Sequence, residues 1–194
     1  MSDIDAATRA IEAGDLVVYP TETVYGLGAD ALDPTAIERV FELKGRSRDN
    51  PLSMGVPSVE RALSYTEASD VARACMEAFL PGPVTVICER GPEVPDVLTA
   101  GRDRVGVRIP AHDFALDLLD GTAPVTATSA NLSGSGSVTH PDGLDPSIRD
   151  TAAVILDDGE TPGTESTVVD PEREKIHRRG AMADAVAAWL TERG

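Results

Sequence analysis

The sequence predicts an α/β fold, a single-domain sandwich in which helices flank a twisted, mixed β-sheet. Three observations lead there. Strand-like and helix-like segments alternate along the chain, but without the strict βαβ regularity of an all-parallel sheet. Three runs rich in β-branched residues, VTVICER (84–90), VGVRIP (105–110) and PVTATSA (124–130), read as buried or half-buried strands. At 194 residues the chain can bury a substantial core, which Val, Ala, Leu and Ile must fill because aromatics make up only 4%.

Ser2 is placed to cap a helix over 3–13, with Asp5 at the capping-box position and Gly14 ending it. LVVYPT (16–21) is a strand whose Pro20 puts its end at an edge or sheet margin. Asp33-Pro34 opens a second helix: a capping carboxylate, proline at the first position, Ile37, Val40 and Phe41 on one face, and Gly45 as the stop. LSMGV (52–56) is a short strand, Ser58 caps another helix, and a helix over 68–80 ends at PGP. The strand at 105–110 leads into a helix near 111–120. After the strand at 124–130 come a short helix near 144–149, strands at 153–157, 166–170 and 175–178, and a final helix over 181–192. LSGSGS (132–137), of low complexity, reads as a surface loop.

The formal net charge is −16, from 33 acids against 17 bases, of which only two are lysines. This carboxylate-rich, lysine-poor composition predicts adaptation to high intracellular salt, where charges are screened within about 3 Å at 1 M. An ordinary acidic cytosolic protein is the plainer alternative. Neither surface holds nucleic acid by general phosphate attraction. No run approaches the ~18 apolar residues of a membrane span. The N-terminal MSDIDAATRA is acidic and lacks a signal peptide's apolar stretch, so the expected location is cytoplasmic. Cys75 and Cys88 form no CxxC pair and read as buried free thiols.

Nine of the seventeen bases nevertheless fall in three short windows, KGRSR (44–48), RDRVGVR (102–108) and KIHRR (175–179). Cations gathered this tightly in a polyanion suggest one anion site. Familiar signatures are missing: there is no GxxxxGK[ST] loop, no GxGxxG after the first strand, no GxSxG elbow and no HExxH. His112, His140 and His177 lie far apart, which argues against a dedicated zinc site. Ordinary nucleoside triphosphatases, nicotinamide dehydrogenases and serine hydrolases are thereby disfavoured.

Four segments carry the remaining chemistry. PTETVYGLGAD (20–30) is open to two readings: a strand-to-loop corner whose glycines permit unusual backbone, or a small-molecule cradle in which Thr21, Thr23 and Tyr25 supply hydrogen bonds. In KGRSRDNPL (44–52) a helix-dipole role would explain Lys44 alone, whereas three cations in five residues favour anion binding. TSANLSG (128–134) packs hydroxyls and an amide after a strand, and GTESTVVD (163–170) repeats the theme. Polar clusters at strand ends plus cationic windows suggest a polar cavity at the sheet's margin.

Taken in order, PTETVYGLGADA, KGR, PGPVTVI, VGVRIP, ATSANLSG, ESTVVD and the terminal KI-x-R-x-GA closely resemble the YrdC-like family, the threonylcarbamoyl-AMP synthases of tRNA modification. The resemblance runs from about residue 14 to residue 181. It implies a twisted mixed sheet around a large cationic cavity, and a short, single-domain form. It also implies an enzyme joining L-threonine, bicarbonate and ATP into threonylcarbamoyl-adenylate with release of pyrophosphate. Mg²⁺ would be carried by ATP, and a separate complex would transfer the threonylcarbamoyl group to tRNA, which this chain binds weakly at most.

Residue by residue, the resemblance implies that Lys44 and Arg46 hold ATP phosphates and serve catalysis by neutralising charge. Asn50, Arg104, Asn131, Thr139 and Arg178 fall on the nucleotide side. Thr21, Thr23, Tyr25, Arg108, Ser129 and Ser166 fall on the threonine side, with Arg108 on the carboxylate. Two positions depart from the family pattern: Ser47 replaces a common proline, and Arg179 replaces a commoner lysine, leaving open which of Arg178 and Arg179 meets ATP. The rival readings are a carbamoyl-transfer domain using carbamoyl phosphate, normally part of a much longer chain, and a double-stranded RNA-binding module.

Overall fold

A computed structural model describes residues 3–122 and 124–193. The chain runs α1 (Asp3–Glu12), β1 (Val17–Tyr19), β2 (Gly26–Gly28), α2 (Pro34–Lys44), β3 (Ser53–Gly55), α3 (Val59–Leu63) and α4 (Asp70–Phe79). It continues with β4 (Val84–Glu89), α5 (Asp96–Thr99), β5 (Arg104–Arg108), α6 (Asp113–Asp120) and β6 (Val125–Ser129). A 3-10 turn at Pro141–Gly143 leads into α7 (Pro146–Thr151), β7 (Val154–Ile155), β8 (Thr167–Asp170), β9 (Lys175–Arg178) and α8 (Ala183–Arg193). The strands form one sheet in the order β7-β1-β2-β6-β3-β5-β4-β8-β9. β1/β7, β3/β5 and β4/β8 pair parallel and the other neighbours antiparallel, so the sheet is mixed, as the irregular alternation predicts.

The helix signals act where the sequence puts them. The Asp33 carboxylate accepts the Thr35 amide at 2.8 Å, and Gly45 takes a left-handed φ of 58° to close α2. Ser58 and Ser69 cap α3 and α4 through their hydroxyls. The expected cap of α1 by Ser2 lies outside the described residues. Both cysteines are buried and unpaired, and burial pushes each thiol up to about 12. Such thiols are inert at neutral pH.

The sequence reading foresaw neither the one-turn helix α5 nor β2, and β2 is the one that shapes the site. The first half of PTETVYGLGAD is the expected strand-to-loop corner after β1, but its second half is a strand between β1 and β6. The glycines serve close approach rather than unusual backbone. A Cβ on Gly26 would stand 2.8 Å from the Tyr19 ring, and one on Gly28 2.7 Å from Val125 and 3.0 Å from Tyr19.

Side-chain alternation divides the sheet. Leu16, Val18, Leu27, Met54, Val84, Val86, Cys88, Val105, Val107 and Val169 enter the larger core, beneath α2 and α4. Val17, Tyr19 and Val125 face the opposite side, where α1 and α6 supply Ala7, Ile11, Ala115, Leu118 and Leu119 to a smaller core. Beyond this smaller core, the same face of β3, β5, β4 and β8 becomes the floor of a cavity.

Candidate active site

The cavity floor follows from period-two strand geometry. On β5, Arg104, Gly106 and Arg108 point into the cavity while Val105 and Val107 point into the core. Ser53 and Gly55 on β3, Thr85 and Ile87 on β4, and Val168 and Asp170 on β8 share that face. Gly106 keeps the floor open, since a Cβ there would stand 2.4 Å from the Ser53 hydroxyl. The volume is about 790 Å³, within the roughly 300–1,000 Å³ of small-molecule sites. Six arginines line it (46, 102, 104, 108, 173 and 178) against three carboxylates (Asp103, Glu165 and Asp170).

Nine of the thirteen residues that the resemblance singles out line this cavity: Thr21, Thr23, Arg46, Asn50, Arg104, Arg108, Ser129, Ser166 and Arg178. At one end stands Arg108. Its Nη2 donates to the Thr23 hydroxyl and to the Glu22 carboxylate, each at 2.9 Å. The Thr21 hydroxyl donates to the Val24 carbonyl at 2.6 Å, so its 2.9 Å contact with Thr23 must be filled by the Thr23 proton. Thr23 thus offers Arg108 a lone pair from a fixed hydroxyl. Tyr19 lies beneath, its phenol pushed up to about 12, chiefly by burial and against the Arg108 charge.

At another part of the wall Arg46 and Arg178 converge. Arg46 follows Gly45 at the end of α2 and donates to the Asn50 carbonyl at 2.9 Å and the Pro51 carbonyl at 3.0 Å. Burial, then the charge of Arg178, holds its guanidinium below the ordinary value. Arg178, on edge strand β9, donates from Nε to the Ser166 carbonyl and from Nη2 to the Ser166 hydroxyl, both at 2.9 Å. The Ser166 hydroxyl also meets Thr85 at 3.2 Å. Glu165 stands 3.4 Å from Arg178 and accepts the Ser137 hydroxyl at 2.8 Å, bridging the glycine-serine loop to β9. Arg179 turns away to Asp184, so Arg178 is the one of this pair that faces the cavity.

Four predicted residues lie outside the cavity wall. Lys44 is only 3% exposed, and its ammonium donates to the carbonyls of Ser129 and of Asn131, the latter at 2.6 Å. Burial, with Arg46 adding to it, brings its amine down to about 8. Lys44 therefore grips the end of β6 that presents Ser129. The Asn131 amide donates to the carbonyls of Leu132 and Ser135 at 2.8 Å, shaping the next loop. The Tyr25 hydroxyl donates to the Gly159 carbonyl at 2.7 Å and accepts the Asp158 amide at 3.1 Å, tying down the segment after β7. Thr139 offers its carbonyl to the Thr161 amide at 2.8 Å.

Arg104 lines the cavity but is already committed, to Asp170 at 2.8 Å and to Glu172. Glu22, Glu165, Asp170, Arg173 and His177 were not singled out by the sequence reading. The alternation of Arg104-x-Gly106-x-Arg108 was the available signal for the floor. Nothing local marks Glu22 as a partner of Arg108, which lies 86 positions away. Among the described residues no group of three or more His, Cys, Asp or Glu side chains is placed to hold a metal ion, and no helix is long and apolar enough to cross a membrane.

Comparison with known proteins adds the lineage. A threonylcarbamoyl-AMP synthase of Pyrococcus abyssi is 44% identical over 170 residues, spanning 86% of this chain and 50% of that protein. The Methanocaldococcus jannaschii protein named putative threonylcarbamoyl-AMP synthase is 34% identical over 169 residues, 87% of this chain and 80% of its own length. The solved structure of P. abyssi Sua5 complexed with L-threonine superposes with a TM-score of 0.84 at 40% identity, covering 93% of this chain and 55% of that one. The chain thus spans about half the length of the P. abyssi relative and most of the M. jannaschii one. The family model Sua5/YciO/YrdC, described as telomere recombination, matches residues 9–180, and the chain belongs to that family.

Proposed function

We propose that this chain is a threonylcarbamoyl-AMP synthase, making L-threonylcarbamoyl-adenylate and pyrophosphate from L-threonine, bicarbonate and ATP. One observation carries the reading: a single cavity is lined both by Arg108 with its threonine hydroxyls and by the Arg46/Arg178 pair. The relatives' names and the L-threonine complex of the P. abyssi protein support it.

The chemistry suits this arrangement. The threonine amine adds to bicarbonate, losing water to give a carbamate, and a carbamate oxygen then attacks the α-phosphate of ATP and expels pyrophosphate. Both reactants of the second step are anions, so neutralisation and alignment outweigh proton abstraction. Arg108, Thr23 and Ser166 take the threonine, with Thr21, Tyr25 and Ser129 shaping its surroundings. Arg46, Arg178 and Asn50 take the nucleotide, with Asn131, Thr139 and the already paired Arg104 further out. Lys44 contributes a charge behind the wall and holds Ser129 in place. Mg²⁺ enters with ATP as part of the substrate. The product passes to a separate complex that modifies tRNA in a salt-rich cytoplasm, and the acidic surface leaves any RNA contact weak.

The test is pyrophosphate release from ATP and Mg²⁺ in high KCl, with threonine and bicarbonate added singly and together. Release requiring both is the expected result. Indifference to threonine would sink the proposal, and a requirement for carbamoyl phosphate would establish the rival transferase.

A further inference from the structure

Arg108 would be a poor receptor if left to itself. A long side chain at the end of a strand loses rotamer freedom when it captures a ligand, and that loss weakens binding unless the chain is already fixed. Here it is fixed from one side only. Nη2 is spanned by Thr23 and Glu22, neighbours in sequence, and the side chains of Arg108 and Glu22 are 11% and 17% exposed. Among the described residues the Glu22 side chain has no other hydrogen-bond partner: Oε1 accepts from Arg108, and Oε2 is buried without a hydrogen bond. A carboxylate largely held out of water, with a single partner and set directly behind a cavity arginine, is an expensive placement. It opposes the attraction of Arg108 for an anion and is not needed to satisfy Thr23, whose hydroxyl already has partners. Orientation is what it supplies. A charge-assisted bond to Nη2 is stronger and more directional than the hydroxyl contact alone; with both Nη2 hydrogens taken by Glu22 and Thr23, Nη1 is the nitrogen left to the cavity.

We propose that Glu22 is a positioning residue for the amino-acid end of the cavity, acting through Arg108 Nη2 to set the guanidinium for a substrate carboxylate. This rests on the synthase reading above, with threonine as the amino acid. Glu22 does not touch the nucleotide end, so its influence falls on one substrate alone.

The experiment is calorimetric titration of the full chain in high KCl with L-threonine and, separately, with Mg-ATP, for the wild type, Glu22→Gln and Glu22→Ala. Gln keeps an acceptor for Nη2, and Ala removes it. Threonine binding should weaken about tenfold or more in Glu22→Ala and stay within about threefold in Glu22→Gln, with ATP binding unchanged in both. Threonine binding by Glu22→Ala within about twofold of wild type overturns the inference, as does an equal loss for threonine and ATP. Wild-type protein that binds no threonine overturns the synthase reading and this inference with it. Circular dichroism checks the fold. Should Glu22→Ala unfold, Glu22→Asp, which withdraws the carboxylate by one methylene, replaces it with the same two outcomes.

Discussion

Lys44 shows how much one side chain's environment decides. It is one of only two lysines, and charge clustering marks it as functional. Spacing does not say that Arg46 turns into the cavity while Lys44 turns inward to the backbone of β6. Burying an ammonium favours its neutral form, and the amine falls from 10.5 to about 8. Below about pH 8 both folded and unfolded chains hold the proton, and the burial cost is fully present. As pH rises from about 8 toward 10.5 the folded chain sheds its proton first, so this site's contribution to stability increases. Thermal unfolding across that window should show a rise for the wild type relative to Lys44→Met. Parallel curves for the two proteins would refute the assignment of the depressed amine to Lys44.

Among the elements, α2 and β2 mark the extremes of legibility. The bounds of α2 are written in local chemistry, from Asp33 and Pro34 to Gly45, and the structure repeats them. β2 was hidden because glycine reads as loop. Tyr25, Leu27 and Ala29 do alternate with Gly26 and Gly28, but the reason for those glycines sits on another strand, in the ring of Tyr19. Gly26→Ala should therefore cost about 1–3 kcal/mol by overpacking. Combining it with Tyr19→Ala should be clearly less than additive, as expected of residues in contact. Denaturant unfolding of the two single variants and the double variant measures the coupling. Full additivity would mean that Gly26 is required for some reason other than Tyr19.

For the whole molecule, net charge and cavity charge have opposite signs. The chain carries −16 overall, while its cavity is lined by six arginines and three carboxylates. Mutual repulsion among surface carboxylates destabilises the compact state, and salt screens it. The melting temperature should rise by about 5–10 °C between low and multimolar KCl, equivalent to a few kcal/mol. A flat or falling profile would remove the argument for salt adaptation. Much of the cavity was legible as three cationic windows. Its acidic residues were not, because acids are everywhere in this sequence and only contact distinguishes Asp103, Glu165 and Asp170, or Glu22 behind Arg108, from the rest.

By itself, the sequence determined the kinds of most elements, the cap and stop of α2, the mixed character of the sheet and the arginines that line the cavity. These depend on propensity, periodicity and charge, which act over a few positions. Tertiary structure decided which cations share the cavity and which are spent elsewhere. The strand order β2-β6-β3-β5-β4-β8-β9 brings Arg108 to Glu22, which lies just ahead of β2, Arg104 to Asp170, and Arg178 to the cavity that Arg46 also lines. Pairings across such separations are set by strand register and burial, which no local pattern records. The same reason sends Lys44 to the carbonyls behind the site rather than into it.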